Sequence, residues 1–272
     1  MKQRTGVKIV LYVLFILAAL LVGSPLLLGI ILSLLPQHDI LAGHFLPNDF
    51  SFHNYVQAFH STRLIHYLIN SLIVSIAVMI GQLLFSSLAA YAFVFPKFRG
   101  QQLCFYLFIS TMMIPFEAQI IPNFQTVRDL NWLNTYPALV VPLMASVFGT
   151  FLLRQNFKQL PNELKEASDI IGMSHWTYYL KIVLPMARIS LITLGTYSFL
   201  TTWNAYLWPL LASTNDSVRT VQIGLKQLQS QETLNQWGVI MACAVTVAIP
   251  TLLILFLGQR HLQKGLTEGA MK

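Results

Sequence analysis

Few side chains in this sequence could do chemistry. Glu117 is a lone carboxylate late in an apolar run, bracketed by Pro115 and Pro122. An acid at the bilayer centre costs about 2.5–3.5 kcal/mol on insertion scales. It therefore either lines a polar pathway, where it could meet a substrate hydroxyl, or sits at headgroup level near the end of a broken helix. Tyr197, Phe199, Trp203, Tyr206 and Trp208 form an aromatic group with Asn204 inside it. Such a group could stack on sugar rings, with Trp203 and Asn204 as candidate pathway residues, and it is also what an interfacial aromatic belt looks like. His38, His44, His53, His60 and His66 lack the tight spacing of a ligand set, so solvated histidines are expected there rather than a metal site. Cys104 and Cys243 fall in separate apolar runs and are expected to be reduced thiols. There is no His-Glu-x-x-His, no Gly-x-Ser-x-Gly, no pair of aspartates within the apolar runs and no Gly-x-x-x-x-Gly-Lys-Ser/Thr. Those patterns would supply a metal-bound water, an acyl-transfer nucleophile or a phosphate cradle. No catalytic residue, metal or cofactor is expected on this chain.

Composition sets the elements that hold these residues. Of 272 residues, 55% are hydrophobic and 10% charged, and the mean hydropathy is +0.61. Soluble domains carry about 25% charged residues, so the solvent for much of this surface is a lipid bilayer. The expected fold class is all-α: an integral membrane protein with six transmembrane helices in a single domain spanning 1–272. The spans are read at about 9–35, 67–95, 103–121, 136–153, 186–211 and 237–257, each near the ~20 residues needed to cross the hydrocarbon core. The first is longer than the ~7–15-residue core of a signal peptide and is expected to stay as an uncleaved helix, bent at Pro25. Pro115 and Pro122 are expected to break the far end of the third, and Pro142 lies inside the fourth.

The formal charge is +7, but the basic residues cluster between apolar runs rather than forming a stripe interleaved with exposed aromatics, which argues against nucleic acid. With both termini on the cytoplasmic side, thirteen Lys and Arg fall inside, and only Arg63, Arg128, Arg219 and Lys226 fall outside. The positive-inside rule therefore puts both termini in the cytoplasm of a multi-pass plasma-membrane protein. The segment 36–66 is then an outer loop whose aromatics suggest a small folded or interfacial surface.

The inside loop at about 158–185 is the most informative stretch. Pro161 suits a helix start. Leu164, Ala167, Ile170 and Ile171 share one face, flanked by Glu163, Lys165, Glu166 and Asp169, the pattern of an amphipathic helix. Gly172 suits a left-handed helix end, Ser174 a cap on a second helix, and Pro185 a stop or kink before the fifth span. This predicts a cytoplasmic helix-turn-helix. Two uses are open to such a pair: lying on headgroups or fitting a groove on a partner.

Glu166-Ala167-Ser168, then Gly172, then Ile182-x-Leu184-Pro185 resembles the EAA loop of binding-protein-dependent ABC importer permeases. Two positions depart from it: Ser168 stands for Ala, and Ile171 precedes the glycine where Asp is usual. Asn70-Ser71, Pro137-Ala-Leu, Phe151-Leu-Leu-Arg-Gln, Leu160-Pro-Asn-Glu-Leu, Trp203-Asn-Ala-Tyr-Leu-Trp-Pro-Leu and the tail Gly265-Leu-Thr-Glu-Gly-Ala-Met-Lys are similar to the carbohydrate branch, specifically to the second permeases of maltose-type and sn-glycerol-3-phosphate-type importers. The resemblance implies that the loop is a coupling helix docked in a cleft of an ATPase subunit and moving with it as ATP closes the nucleotide sandwich. Glu166 would contact a basic group there, Ala167 would allow close approach, Ser168 would stand at the third motif position, Gly172 would make the turn, and Leu184-Pro185 would close the motif. Gly265, Thr267, Glu268 and Gly269 would form a second ATPase contact, or else a frayed terminus. The implied partners are a homologous second permease in a heterodimer, an ATP-binding subunit dimer holding ATP and magnesium, and an extracytoplasmic solute-binding protein. The implied function is passage of a carbohydrate, polyol or glycerol phosphate driven by that separate ATPase. The rival reading is a stand-alone secondary transporter of a small polar solute, for which ionisable residues near the midplane are expected.

Overall fold

A computed structural model of the chain describes residues 5–45, 50–230 and 236–267. All regular structure among these residues is helical. Three helices are long and apolar enough to cross a membrane singly, with apolar windows at Val10–Leu34, Leu64–Ala92 and Trp237–Gln259. Three bent helix pairs bring the number to six when each pair is one span, by length and composition. The chain divides into two compact units: one from residues 1–66 with 224–249, the other from 67–223 with 250–272.

In the first unit α1 (Thr5–Leu34) runs unbroken through Pro25. Its outward residues, Val10 to Val22 above all, are exposed, as a lipid-facing helix requires. Pro36 follows α1 and has no N–H to offer, so the terminal carbonyls of α1 need outside donors. Asn54 supplies them from α3 (His53–Ser61): its Nδ2 donates to the carbonyls of Ser33 (3.0 Å) and Leu35 (2.8 Å). Gly238, near the start of α15 (Trp237–Thr267), lets that helix lie against Asn54, because a Cβ there would sit 2.4 Å from Nδ2. The short helix α2 (Gln37–Ala42) ends on Gly43 in the left-handed region. The described part of segment 36–63 thus folds into the short helices α2 and α3, with α3 packed against the end of α1.

In the second unit α4 (Leu64–Ala92) is the central post. Near its start, Asn70 Nδ2 donates to the carbonyls of Ser217 and Arg219, Tyr136 donates to Asn70 Oδ1, and Ser71 Oγ accepts from the Val221 amide. Two buried amphiphilic residues at the head of a span therefore tie down a loop that arrives some 150 positions later in the chain. Above this network Val74 and Val78 pack with Ala138, Leu139, Val140, Trp208 and Ala212. Towards the far end of α4, Ala90 and Tyr91 join a second cluster with Leu153, Phe157, Tyr178, Tyr179, Val183 and Leu194.

The third apolar stretch differs from its sequence reading. α5 (Gln101–Ser110) runs into a tight turn at Thr111–Met113, and α6 (Phe116–Asp129) leaves at 97°. The break is at Ile114-Pro115, where Pro115 caps α6, while Pro122 sits inside α6 instead of ending it. The fourth stretch bends by 44° between α7 with its following turn (Tyr136–Leu143) and α8 (Val147–Phe157), and Pro142 lies in that turn. The Ser146 hydroxyl caps α8 by accepting from the Gly149 amide. The fifth stretch, read as continuous from 186 to 211, is two helices: α12 (Arg188–Trp203) stops at Asn204, and α13 (Leu207–Ala212) begins three residues later. Close packing of the broken fourth stretch on α4 rests on glycine. A Cβ at Gly81 would meet Met144 Cγ at 2.5 Å, and one at Gly149 would meet Ser86 Oγ at 2.6 Å.

Candidate functional site

The amphipathic loop folds as a helix, a turn and a second helix. α9 (Asn162–Ile170) starts on Pro161, whose extended backbone leads into it. It ends at Gly172, with φ +67°, where the Gly172 amide donates to Asp169 O (3.1 Å) and the Met173 amide to Ser168 O (2.9 Å). That pair of bonds is a Schellman closure, which satisfies the last carbonyls and needs a residue content at positive φ. Ser174 caps α10 (His175–Tyr178) by accepting from the Thr177 amide at 3.2 Å. α10 opens into a widened π-helical turn at Tyr179–Val183, and Pro185 follows in α11 (Leu184–Met186). Proline removes a donor and crowds the carbonyl four residues back. A π turn in that preceding segment relieves the crowding. The helix then bends by 78° at Ala187 into α12.

The two helices are held unequally. The second is anchored: Tyr91 OH donates to His175 O (3.1 Å) and lies 3.0 Å from His175 Nδ1, and the Tyr179 and Ser87 hydroxyls are 2.7 Å apart. Edge-on rings add to this, with Tyr91 5.3 Å from Tyr179 and Phe95 5.3 Å from Tyr178. Burial, and secondarily Asp169, push the Tyr178 phenol up. Its neutral ring carries Lys165 Nζ at 5.6 Å, and Lys165 also pairs with Asp169 one turn along α9. Ser168 is 2% exposed, and its Oγ donates to Lys165 O at 2.7 Å. The hydroxyl that departs from the motif's usual alanine thus needs no partner beyond its own helix.

The opposite face of α9 is bare. Ala167 and Glu166 are exposed, and Ile170 and Ile171 are 85% and 71% exposed. Trp176, at the start of α10, is 59% exposed. Apart from half-buried Leu164, the apolar stripe of the sequence does not face the protein's core. It stands outside, beside a carboxylate, on a pair of helices whose other side is fixed. Alongside runs a cleft of about 1020 Å³ lined by Lys97, Lys158, Lys165, Glu166, Asp169 and His175 among others. Leu184 is partly buried in the cluster around Tyr179 and Val183, while Pro185 is exposed.

The remaining candidates are scattered. Glu117 is exposed in the first turn of α6, where the helix dipole favours a carboxylate. Trp203 is 1% exposed and stacks on Phe199 at 5.7 Å, and Trp208 is buried with its Nε1 donating to Ala138 O. These rings are core, so neither offers a face for a sugar in this structure. Asn204 is exposed; its Nδ2 donates to Leu200 O at 2.8 Å. Gly265 and Thr267 fall in the last turn of α15, and Glu268 and Gly269 lie outside the described residues. Among the described residues, no group of three His, Cys, Asp or Glu comes together to hold a metal, and Cys104 and Cys243 are free. Sequence reasoning passed over Gln82, a lone amide midway along α4 that bonds Leu143 O at 2.8 Å; its polarity within a span was the available signal.

A sequence model of the family described as binding-protein-dependent transport system inner membrane component matches residues 82–268. The sn-glycerol-3-phosphate transport system permease protein UgpE of Yersinia pestis bv. Antiqua (strain Antiqua) is 32% identical over 276 residues, covering 98% of each chain. The protein of the same description from Agrobacterium fabrum (strain C58 / ATCC 33970) is 32% identical over 277 residues, again covering 98% of each. A chain of a bacterial ABC transporter involved in the import of the acidic polysaccharide alginate superposes with a TM-score of 0.85 at 22% identity, over 96% of this chain and 98% of that one. A chain of the alginate ABC transporter in complex with its alginate pentasaccharide-bound periplasmic protein gives 0.63 at 14% identity, over 89% and 94%.

Proposed function

The chain belongs to the family of binding-protein-dependent transport system inner membrane components, as a permease subunit of an ABC importer, and we propose that it passes a carbohydrate, a polyol or a glycerol phosphate, driven by an ATPase docked on α9 and α10. The observation that carries the coupling role is the bare face of Ala167, Ile170 and Ile171 beside Glu166, on helices whose inner side is clamped to α4. Exposed isoleucines next to a carboxylate are unstable against water but complementary to a groove with an apolar floor and a basic rim. In this reading Glu166 makes the charge-assisted contact, Ala167 lets the partner approach, and Ser168 braces the helix from behind. Gly172 sets the angle between the helices, and Leu184-Pro185 join the pair to α12. ATP and magnesium belong to the partner. Movement of the docked pair reaches the pathway through Tyr91, Tyr179 and Ser87, which bind it to α4, and through Ala187, where it bends into α12.

The solute class rests on the 32%-identical glycerol-3-phosphate permeases. A second, homologous permease completes the pathway, an extracytoplasmic solute-binding protein delivers the solute, and both termini lie in the cytoplasm, as the charge distribution directs. The tail from Gly265 through Glu268 and Gly269 makes a second contact with the ATPase.

Gentle detergent extraction of the tagged chain from its native membrane, followed by mass spectrometry, is expected to recover one homologous permease, an ATP-binding subunit and a solute-binding protein. Recovery of the chain by itself, under conditions that preserve other such complexes, would favour a stand-alone carrier instead.

A further inference from the structure

We propose that α3 lies in the headgroup layer of the membrane, with Phe52, Val56 and Phe59 sunk towards the acyl chains as a phospholipid-binding surface. On the orientation given above this is the outer leaflet.

Hydrogen bonds set the depth of α3. The apolar window of α1 ends at Leu34, which places that helix end at the edge of the hydrocarbon layer. The last carbonyls of α1 and the one that follows accept from the segment that opens α3. Asn54 Nδ2 donates to Ser33 O and Leu35 O, and the Ser51 amide donates to Leu34 O at 3.0 Å. The Ser33 and Tyr55 hydroxyls lie 2.8 Å apart. At its other end α3 leads through Thr62 and Arg63 to Leu64, where α4 begins. With nine residues, α3 is about 13 Å long. It joins the ends of two apolar spans and so runs along the boundary of the bilayer instead of entering it.

α3 has two faces. Asn54 and Ala58 are buried on one. On the other, Phe52, Val56 and Phe59 follow at i, i+4 and i+7, a single helical stripe, and they are 70%, 53% and 38% exposed. His53 and His60 are exposed beside the stripe, and Phe50 is exposed just before it. From Phe50 to His66 there is no Asp or Glu, so no carboxylate in this segment repels lipid phosphates. Rings and a valine in a row are unfavourable against water, and an apolar stripe with polar flanks is the pattern of an interfacial helix. Lipid is the occupant because the stripe hangs from the end of a lipid-facing helix: Leu26, Leu27 and Leu28 of α1 are exposed as well.

The test uses the whole importer in vesicles of phosphatidylethanolamine and phosphatidylglycerol, with Cys104 and Cys243 replaced by serine. Val56→Cys and Phe59→Cys, made singly, carry a nitroxide spin label, and collision rates with oxygen and with a water-soluble nickel chelate give the depth of each. Both labels should collide preferentially with oxygen and read a depth about 5–10 Å below the lipid phosphates. Preferential collision with the chelate at either position would overturn the proposal. A label that is open to the chelate until the solute-binding protein is added would overturn it too, and would make α3 a protein-docking surface. Hydroxyl-radical footprinting of the unsubstituted importer in the same vesicles gives a reading without substitution. Phe52 and Phe59 should escape oxidation, and their modification would count equally against the proposal.

Discussion

Glu166→Lys is expected to abolish uptake while the protein stays in the membrane at normal abundance. Glu166 is exposed at the edge of the cleft beside α9, and the helix is tied to α10 through Lys165 over the Tyr178 ring, so the fold does not depend on Glu166. In the docked state the carboxylate would be partly desolvated against a basic group. Replacing it with a cation there removes an attraction and adds a repulsion, an effect of about 2–5 kcal/mol for a buried interfacial charge. At the lower end that is roughly thirtyfold in affinity. Immunoblotting of membranes, co-purification of the ATPase and uptake of labelled solute together read this out. Normal uptake by the variant would remove Glu166 from the coupling surface.

The second large effect comes from a residue with no neighbour where a side chain would stand. A Cβ at Gly172 would find open space within 4 Å, yet the backbone there has φ +67°. Substitution is therefore opposed by conformation alone, and the residue types should rank by their access to the left-handed region. Asn enters it readily, Ala less so, and a β-branched residue hardly at all. Gly172→Asn should retain most of the uptake. Gly172→Ala should lose part of it, at about 1 kcal/mol of strain, and Gly172→Val most of it, at up to ~3 kcal/mol. The damage would arise from the Schellman closure opening, which swings Ile170 and Ile171 away from the angle fixed by the anchored α10. Equal uptake for the Asn and Val variants would show that the turn's geometry is irrelevant to coupling.

Much of the loop was legible because its punctuation is local. Pro161, Gly172 and Ser174 each act through their own backbone neighbours, and the turn they predict is the one present. Breaks that depend on tertiary packing were harder to read. Pro115 and Pro122 carry the same local signal, but only Pro115 marks a break; Pro122 stays within α6. The interruption after Trp203 has no proline at the break itself, only Asn204 and the later Pro209. Facing was the least legible feature. Periodicity placed Leu164, Ala167, Ile170 and Ile171 on one side of a helix but could not say whether that side met the core or a partner. It could not separate Trp203 and Trp208, which are core, from Tyr197 and Tyr206, which are exposed. Aromatic rings suit core, belt and sugar site alike, and only packing decides among them.

If the ATPase covers the bare face of α9, thiols placed on that face should lose their accessibility when the two subunits assemble. With Cys104 and Cys243 replaced by serine, Ile171→Cys provides a single reporter on a position 71% exposed in the chain alone. A membrane-impermeant thiol reagent should modify it rapidly in the isolated permease and much more slowly after assembly with the ATP-binding subunit. Modification at the same rate in both states would contradict the assignment of this face as the docking surface.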